Sequence, residues 1–288
     1  MASTIILRRR ISSIRGTRQI TKAMQLVSAS KLRRAQAYAA ASREYRVMAY
    51  ALLSKLNIIV EAEQQPLFQK RPIKNKLYIL ITSNTGLAGA YNSNVLKLLV
   101  ESVFEDQKNH IFPHVITIGS KGAQFVRRLK DIKLEAAYPP FGDHPSANDV
   151  RPILNTVLEQ YKSNQVDDVR IIYTEYKSTV SQRAQVLEVL PAQKLDIENN
   201  NELISNFEPD VETVVDQVTT RLVEAQIWQA LLESLASEQA MRMIATKNAT
   251  DNANDLIEDY TLELNSVRQA AITQELAEIS GGVEAMTS

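Results

Sequence analysis

Between Pro209 and Gly281 the chain has neither proline nor glycine. Within that run apolar or small residues recur in alternating steps of four and three: Val211, Val215, Val218, Leu222 and Ala225, then Leu232, Ala236, Met243, Ala253, Ile257, Tyr260, Leu264, Val267 and Ala271. Such steps place every side chain on one stripe of a helix. Sustained over many turns they describe a coiled-coil seam. At ~1.5 Å per residue the helix spans roughly 105 Å, several times the diameter of a small domain. A helix of that length acts as a lever, a spacer or a shaft.

The other end of the chain repeats the pattern. Thr17 to Gln65 again holds no glycine or proline, and Ile11, Ile14, Ile20, Met24, Val27, Tyr38, Ala41, Tyr45, Met48 and Leu52 give a looser apolar stripe. All nine prolines lie from Pro66 to Pro209. The breakers divide the chain into an N-terminal helix (1–65), a globular middle (66–208) and a C-terminal helix (209–288). A chain that leaves along one helix and returns along another pairs the two antiparallel, because each stripe alone stays wet. Leu222, Leu232, Ile257 and Leu264 are expected on the buried side of that arrangement. The arms are unequal, about Thr4 to Ile58 against Pro209 to Ser280. The C-terminal helix therefore outruns its partner by on the order of 20 Å, and the overhang carries Ile272, Leu276, Ile279 and Val283. An exposed apolar stripe marks a binding surface.

Charge is balanced over the whole chain but not locally. From Arg8 to Arg46 eleven cations face a single acid, Glu44, whereas the C-terminal helix is richer in Asp and Glu. A basic arm suits an acidic partner, either the other arm or another protein. Nucleic acid is a poorer match, because the interleaved aromatics of a base-stacking surface are missing. The absence of cysteine removes disulfides, thiol catalysis and cysteine-ligated zinc. No apolar run approaches the ~18 residues of a membrane span. The first twenty residues are basic and acid-free, like an organellar presequence, but the stripe through Ile11, Ile14 and Ile20 continues into Met24 and Val27, which favours structural helix.

The middle alternates strands and helices. Leu77 to Thr82, His114 to Ile118, Ile132 to Ala137, Val169 to Tyr176 and Ala184 to Leu190 read as strands. Ser93 to Phe104, Lys121 to Lys130 and Ala147 to Tyr161 read as helices. That alternation gives a small Rossmann-like α/β domain with a partly parallel sheet. Gly86 and Gly89, after the first strand, lack the third glycine of a dinucleotide loop, and no Gly-Lys-Ser/Thr follows. The Gly119–Gly122 turn lacks the upstream glycine. Both are expected to be tight turns, and no cofactor is implied. His110 and His114 are separated by Pro113 and share no helix face, which argues against a metal pair. His144 sits in a polar loop. The sequon Asn248-Ala-Thr250 falls inside the long helix and reads as chance.

Three stretches carry a resemblance: Arg18-Gln-Ile-Thr-Lys-Ala-Met-Gln-Leu-Val-Ser-Ala-Ser-Lys-Leu-Arg-Arg-Ala35, then Gly86-Leu-Ala-Gly-Ala-Tyr-Asn92, and the pair Ser237-Glu-Gln-Ala-Met-Arg-Met-Ile-Ala-Thr-Lys-Asn-Ala-Thr-Asp-Asn-Ala253 and Arg268-Gln-Ala-Ala-Ile-Thr-Gln-Glu-Leu-Ala-Glu-Ile279. Together they resemble the gamma subunits of F-type ATP synthases. Ala88, Ala90 and Val283 depart from the usual pattern. The cysteine-bearing insert of the chloroplast form is missing, so the bacterial form is the better match.

The resemblance implies a non-catalytic rotor shaft, peripheral to the cytoplasmic face of the cell membrane. Its partners would be the alpha and beta subunits of the catalytic head, the epsilon subunit and the c-subunit ring. It points to Met24, Arg242, Gln269, Thr273 and Glu275 as positions where shaft meets head. Met24 lies on the stripe and can equally pack on the partner helix, whereas Arg242 and Gln269 fall off it and are expected to face outward. Joined to the charge and overhang readings, it adds Arg33 and Arg34 against acidic beta-subunit loops, and Ile272 and Leu276 in an apolar sleeve. Two other readings stand beside it: an α/β nucleotide-binding protein with helical arms, and a coiled-coil tether with a hinge domain.

Overall fold

In a computed structural model the described residues are 2–57, 66–139, 141–142, 145–192 and 211–287. The boundaries expected at 65/66 and 208/209, and His144, lie outside them. Helix α1 runs Ala2–Asn57. The sheet domain follows as β1 Asn75–Ile81, α2 Tyr91–Lys108, β2 Phe112–Ile118, α3 Ser120–Val126, β3 Lys133–Tyr138, a 3-10 turn Ala147–Val150, α4 Arg151–Lys162, β4 Asp168–Tyr176 and β5 Gln182–Leu190. Helix α5 runs Val211–Thr287, 77 residues without interruption. It continues through Gly281 and Gly282; each glycine costs about 1 kcal/mol of helix propensity, too little to stop a helix already nucleated.

The sheet order is β3-β2-β1-β4-β5. The first four strands pair in parallel and β5 closes the edge antiparallel. This is the Rossmann-like, partly parallel sheet that alternating strands and helices imply. Both faces are covered, so β1 runs apolar from Leu77 to Ile81 without alternating. Tyr78 and Leu80 pack with Val95, Leu99 and Val103 of α2 and Val126 of α3. Leu77, Ile79 and Ile81 face the other way, onto Ile153, Leu154, Val157 and Tyr161 of α4 and Val223, Ile227, Ala230 and Leu231 of α5.

Two compact units divide the chain, Ala29–Arg242 and Met1–Ser28 with Met243–Ser288. Each long helix contributes to both. In the first unit α5 is a core helix rather than a coiled-coil strand. From Leu222 to Ala240 every residue except Trp228, Leu235 and Glu238 is buried. It also completes the sheet's hydrogen bonding. Pairing between β1 and β4 ends at Leu80 with Ile172, so Thr174 has no ladder partner on that side. Its N–H donates to Ser234 Oγ at 3.1 Å, and its carbonyl accepts from Ser237 Oγ at 3.1 Å. A buried backbone group left unmet would cost about 1–3 kcal/mol, which explains two serines on a helix face otherwise suited to apolar residues.

In the second unit the helices pair antiparallel. Arg10 stacks over Tyr260 at 5.9 Å, Arg18 Nη1 donates to Asn254 Oδ1 at 3.3 Å, and the Thr21 and Thr250 hydroxyls lie 2.8 Å apart. The α1 seam runs Leu7, Ile11, Ile14, Arg18, Thr21, Gln25 and Ser28, all buried or half-buried. Ile20 and Val27, placed on the stripe from sequence, are instead 63% and 54% exposed. The steps of four and three from Ile14 lead to Arg18 and Thr21, so helical period overrides apolarity. On α5 the seam follows Thr246, Thr250, Ala253, Ile257, Tyr260, Leu264 and Val267, as its spacing predicts.

Candidate partner-contact surfaces

The tip of α5 is the clearest surface. Partners 10 and 260, 18 and 254, 21 and 250 set a register that, carried back to Ala2, reaches about Gln269. Beyond it no described α1 residue lies opposite α5. Ile272 is 48% exposed, Leu276 62%, Ile279 64% and Val283 58%. The expected overhang is therefore present and its apolar stripe is open. Gln269, Thr273 and Glu275 on the same segment are exposed; the Thr273 hydroxyl donates to the Gln269 carbonyl at 2.9 Å, tied to its own helix.

Helix α1 supplies a second surface. Arg33 and Arg34 are exposed, flanked by buried Leu32 and Ala35, so the seam residues aim both guanidinium groups outward. Arg8, Arg9 and Arg15 on α1 are exposed, as are Asp251, Asp255, Glu258 and Asp259 on α5. Among the described residues no ion pair joins these two sets, so these opposite charges do not zip the arms together. Met24 is half-buried beside the Thr21–Thr250 contact, between its two expected roles.

Arg242 departs from expectation. It is 7% exposed and faces inward. Nη1 pairs with Glu238 one turn back, and Nη2 reaches Thr85 Oγ1 at 3.2 Å and the Thr85 and Gly86 carbonyls at 3.4 Å each. It falls off the seam because it serves the sheet domain, a role that spacing alone does not reveal. The loop it meets is closed on itself. Ser83 N–H donates to Asn92 Oδ1 at 3.0 Å and Ser83 Oγ to the Thr85 carbonyl at 2.7 Å. Leu87 and Gly89 take positive φ of 62° and 56°. A phosphate cradle points N–H groups at the ligand; here a guanidinium meets carbonyls. The second glycine turn is also packing. A Cβ on Gly119 would stand 2.1 Å from the Thr82 carbonyl oxygen, and Gly122 N–H donates to Thr82 Oγ1 at 2.9 Å. Both glycine turns serve the fold, as their spacing implies.

The titratable clusters are structural as well. Lys76 pairs with Asp106, which also accepts from the Tyr78 hydroxyl at 2.6 Å, beneath α2. Burial, then Asp106, pushes the Tyr78 hydroxyl far above its ordinary value. His114 Nδ1 lies 2.5 Å from Glu135 Oε1, with Lys133 at 2.8 Å. Burial would by itself raise the Glu135 carboxyl; the hydrogen bonds from Lys133 and His114 outweigh it and hold the carboxyl below its ordinary value. Among the described residues no cluster of His, Asp and Glu could hold a metal, and no helix is long and apolar enough to cross a membrane.

The sequence profile of a family described as ATP synthase matches residues 3–286. The ATP synthase gamma chain of Desulfitobacterium hafniense is 40% identical over 99% of this chain and 100% of its own length. That of Herpetosiphon aurantiacus is 38% identical over 99% of both chains. Among solved structures, a chain of the Euglena gracilis mitochondrial ATP synthase superposes with a TM-score of 0.70 at 20% identity, over 99% of this chain and 95% of that one. A chain of the Tetrahymena thermophila mitochondrial ATP synthase central stalk and c-ring gives 0.61 at 23% identity, over 80% and 99%. The structural likeness carries the fold, and the end-to-end identity carries the family: this chain belongs to the ATP synthase gamma chains.

Proposed function

We propose that this chain is the central-stalk rotor of a proton-translocating F-type ATP synthase, a stalk subunit rather than a catalytic one. Residues 1–65 and 209–288 serve as the arms of the shaft within a ring of alpha and beta subunits. Residues 66–208 meet the epsilon subunit and the c-ring. Attachment to the cytoplasmic face of the membrane is through that ring. Rotation of an asymmetric shaft favours a different conformation in each beta subunit in turn. The coupling is a set of differential contact energies. Met24, Arg33, Arg34, Gln269, Ile272, Thr273, Glu275 and Leu276 are the contacts with the head, and the stalk sets how fast hydrolysis runs.

The observation that carries this reading is the exposed apolar tip of α5. A helix that runs past its partner with four apolar side chains open to water presents a surface suited to an enclosing partner. A coiled-coil tether needs no such tip, and a nucleotide-binding enzyme needs a phosphate loop where Arg242 stands. The test is reconstitution. The isolated chain should hydrolyse no ATP, and adding it to alpha and beta subunits should yield a complex in which it rotates during hydrolysis. A chain that stays out of the complex would refute the proposal.

A further inference from the structure

We infer that Arg242 is a positioning residue that clamps the glycine loop Thr85–Gly89 to helix α5, so that loop and helix turn as one piece. The inference rests on the rotor reading above. Three residues on one stripe of α5 act together. Ser234 fixes β4 through the Thr174 N–H. Glu238, one turn on, holds the guanidinium of Arg242. Arg242, another turn on, spans to three oxygens of the loop, Thr85 O, Thr85 Oγ1 and Gly86 O.

The loop needs such a clamp. Its own fastenings are Ser83 with Asn92, Ser83 Oγ with the Thr85 carbonyl at 2.7 Å, and Tyr91 N–H with the Ala88 carbonyl at 3.2 Å. Between them Leu87 holds a left-handed conformation while 67% exposed, which for a bulky side chain persists only when the surroundings enforce it. The Thr85 and Gly86 carbonyls each lie 3.4 Å from Arg242 Nη2, and the Thr85 carbonyl also accepts from Ser83 Oγ at 2.7 Å. A planar five-donor cation, already oriented by Glu238, can serve several oxygens at once, as a point-charge ammonium cannot. Arg242 is too buried to reach a partner as a free side chain. Its effect on rotation passes through the loop it holds.

The experiment compares full-length wild type, R242M and R242K. Amide exchange over 83–91 is followed in the isolated chain, and ATP-driven proton pumping per ATP hydrolysed in the reconstituted complex. R242M should speed exchange of the loop amides about tenfold, leave Leu77–Ile81 protected, and lower pumping per ATP. R242K should recover part of both. Unchanged loop exchange in R242M overturns the clamp, and lost coupling with an undisturbed loop would assign Arg242 an outward contact instead. A loosened loop with full coupling overturns its part in torque transfer. Failure of wild type to assemble would count against the rotor reading alone. If R242M does not fold, T85V, which removes one of the three acceptors, should loosen the loop by a smaller factor in the same direction, and no change there also overturns the clamp.

Discussion

Replacing Ile272 and Leu276 together should leave the isolated chain as stable as before and weaken its assembly with the head. Fully burying an aliphatic side chain is worth roughly 1.5–3 kcal/mol. Ile272 and Leu276 are 48% and 62% exposed, so about half of that remains to be gained at each. Their combined loss on truncation to alanine is about 2–3 kcal/mol, or roughly 30- to 150-fold in affinity. Alanine raises helix propensity, so the free arm should not melt. Aspartate at both positions adds the desolvation of two charges, several kcal/mol more, and should block assembly. Fluorescence titration of the labelled chain with alpha and beta subunits measures affinity, and thermal unfolding of the chain alone checks the arm. The reasoning is refuted if the double aspartate variant assembles with unchanged affinity. It is equally refuted if the alanine pair lowers the melting temperature of the free chain by more than a degree or two, since the tip would then be packed at home.

Ile227→Ala should cost about 2–5 kcal/mol by denaturant unfolding, because this fully buried side chain lies in the core shared by α5 and the sheet; Leu262→Ala, 64% exposed, should cost under about 0.5 kcal/mol. Glu135→Gln should flatten the acid limb of the stability curve. The lowered carboxyl pKa means its contribution is complete above the unfolded value of about 4.3 and is lost as pH falls through the folded one, a window that a pH series of melting curves would resolve. Arg33→Glu with Arg34→Glu should leave melting within about 0.5 kcal/mol, since both groups are exposed, yet slow ATP-driven pumping; equal pumping would remove them from the contact set.

Much of this arrangement was legible in the chain because it rests on breakers and period. Glycine and proline marked the domain, the strand–helix alternation marked the sheet, and unequal arm lengths announced the overhang. What stayed hidden depends on tertiary context. Apolarity put Ile20 and Val27 on the seam, whereas Thr21 and Ser28 occupy it, because close approach of two helices accepts small hydroxyl residues and the seven-residue repeat decides position. Each of the Thr21 and Thr250 hydroxyls also reaches a carbonyl of its own helix, Arg18 at 3.1 Å and Thr246 at 2.8 Å, so their polarity is met within the seam. Arg242 was read as outward for the same reason. A charged residue off the stripe faces water by default, and only the fold brings Thr85 and Gly86 to it from more than a hundred and fifty positions away.

One continuous helix is thus held in two different ways. From Leu222 to Ala240 it is enclosed on nearly all sides, fixed by core contacts and by serine bonds to the β4 backbone. From Met243 to Ala271 only about two residues in seven lie on the seam, and most of the remainder is open surface. Local opening follows buried contact, so the first stretch is the rigid base and the second the compliant arm. A rotor needs both. On the proposed rotor reading, torque would enter where the helix is inseparable from its domain, and contact with the head would need an exterior whose residues can meet partners. A seam of two rows serves this better than a broad core, because it leaves the basic face of α1 and the acidic face of α5 unspent. Among the described residues Arg8, Arg9 and Arg15 of α1 form no ion pair with Asp251, Asp255, Glu258 or Asp259 of α5, so a subunit placed around them meets a different potential at each angle.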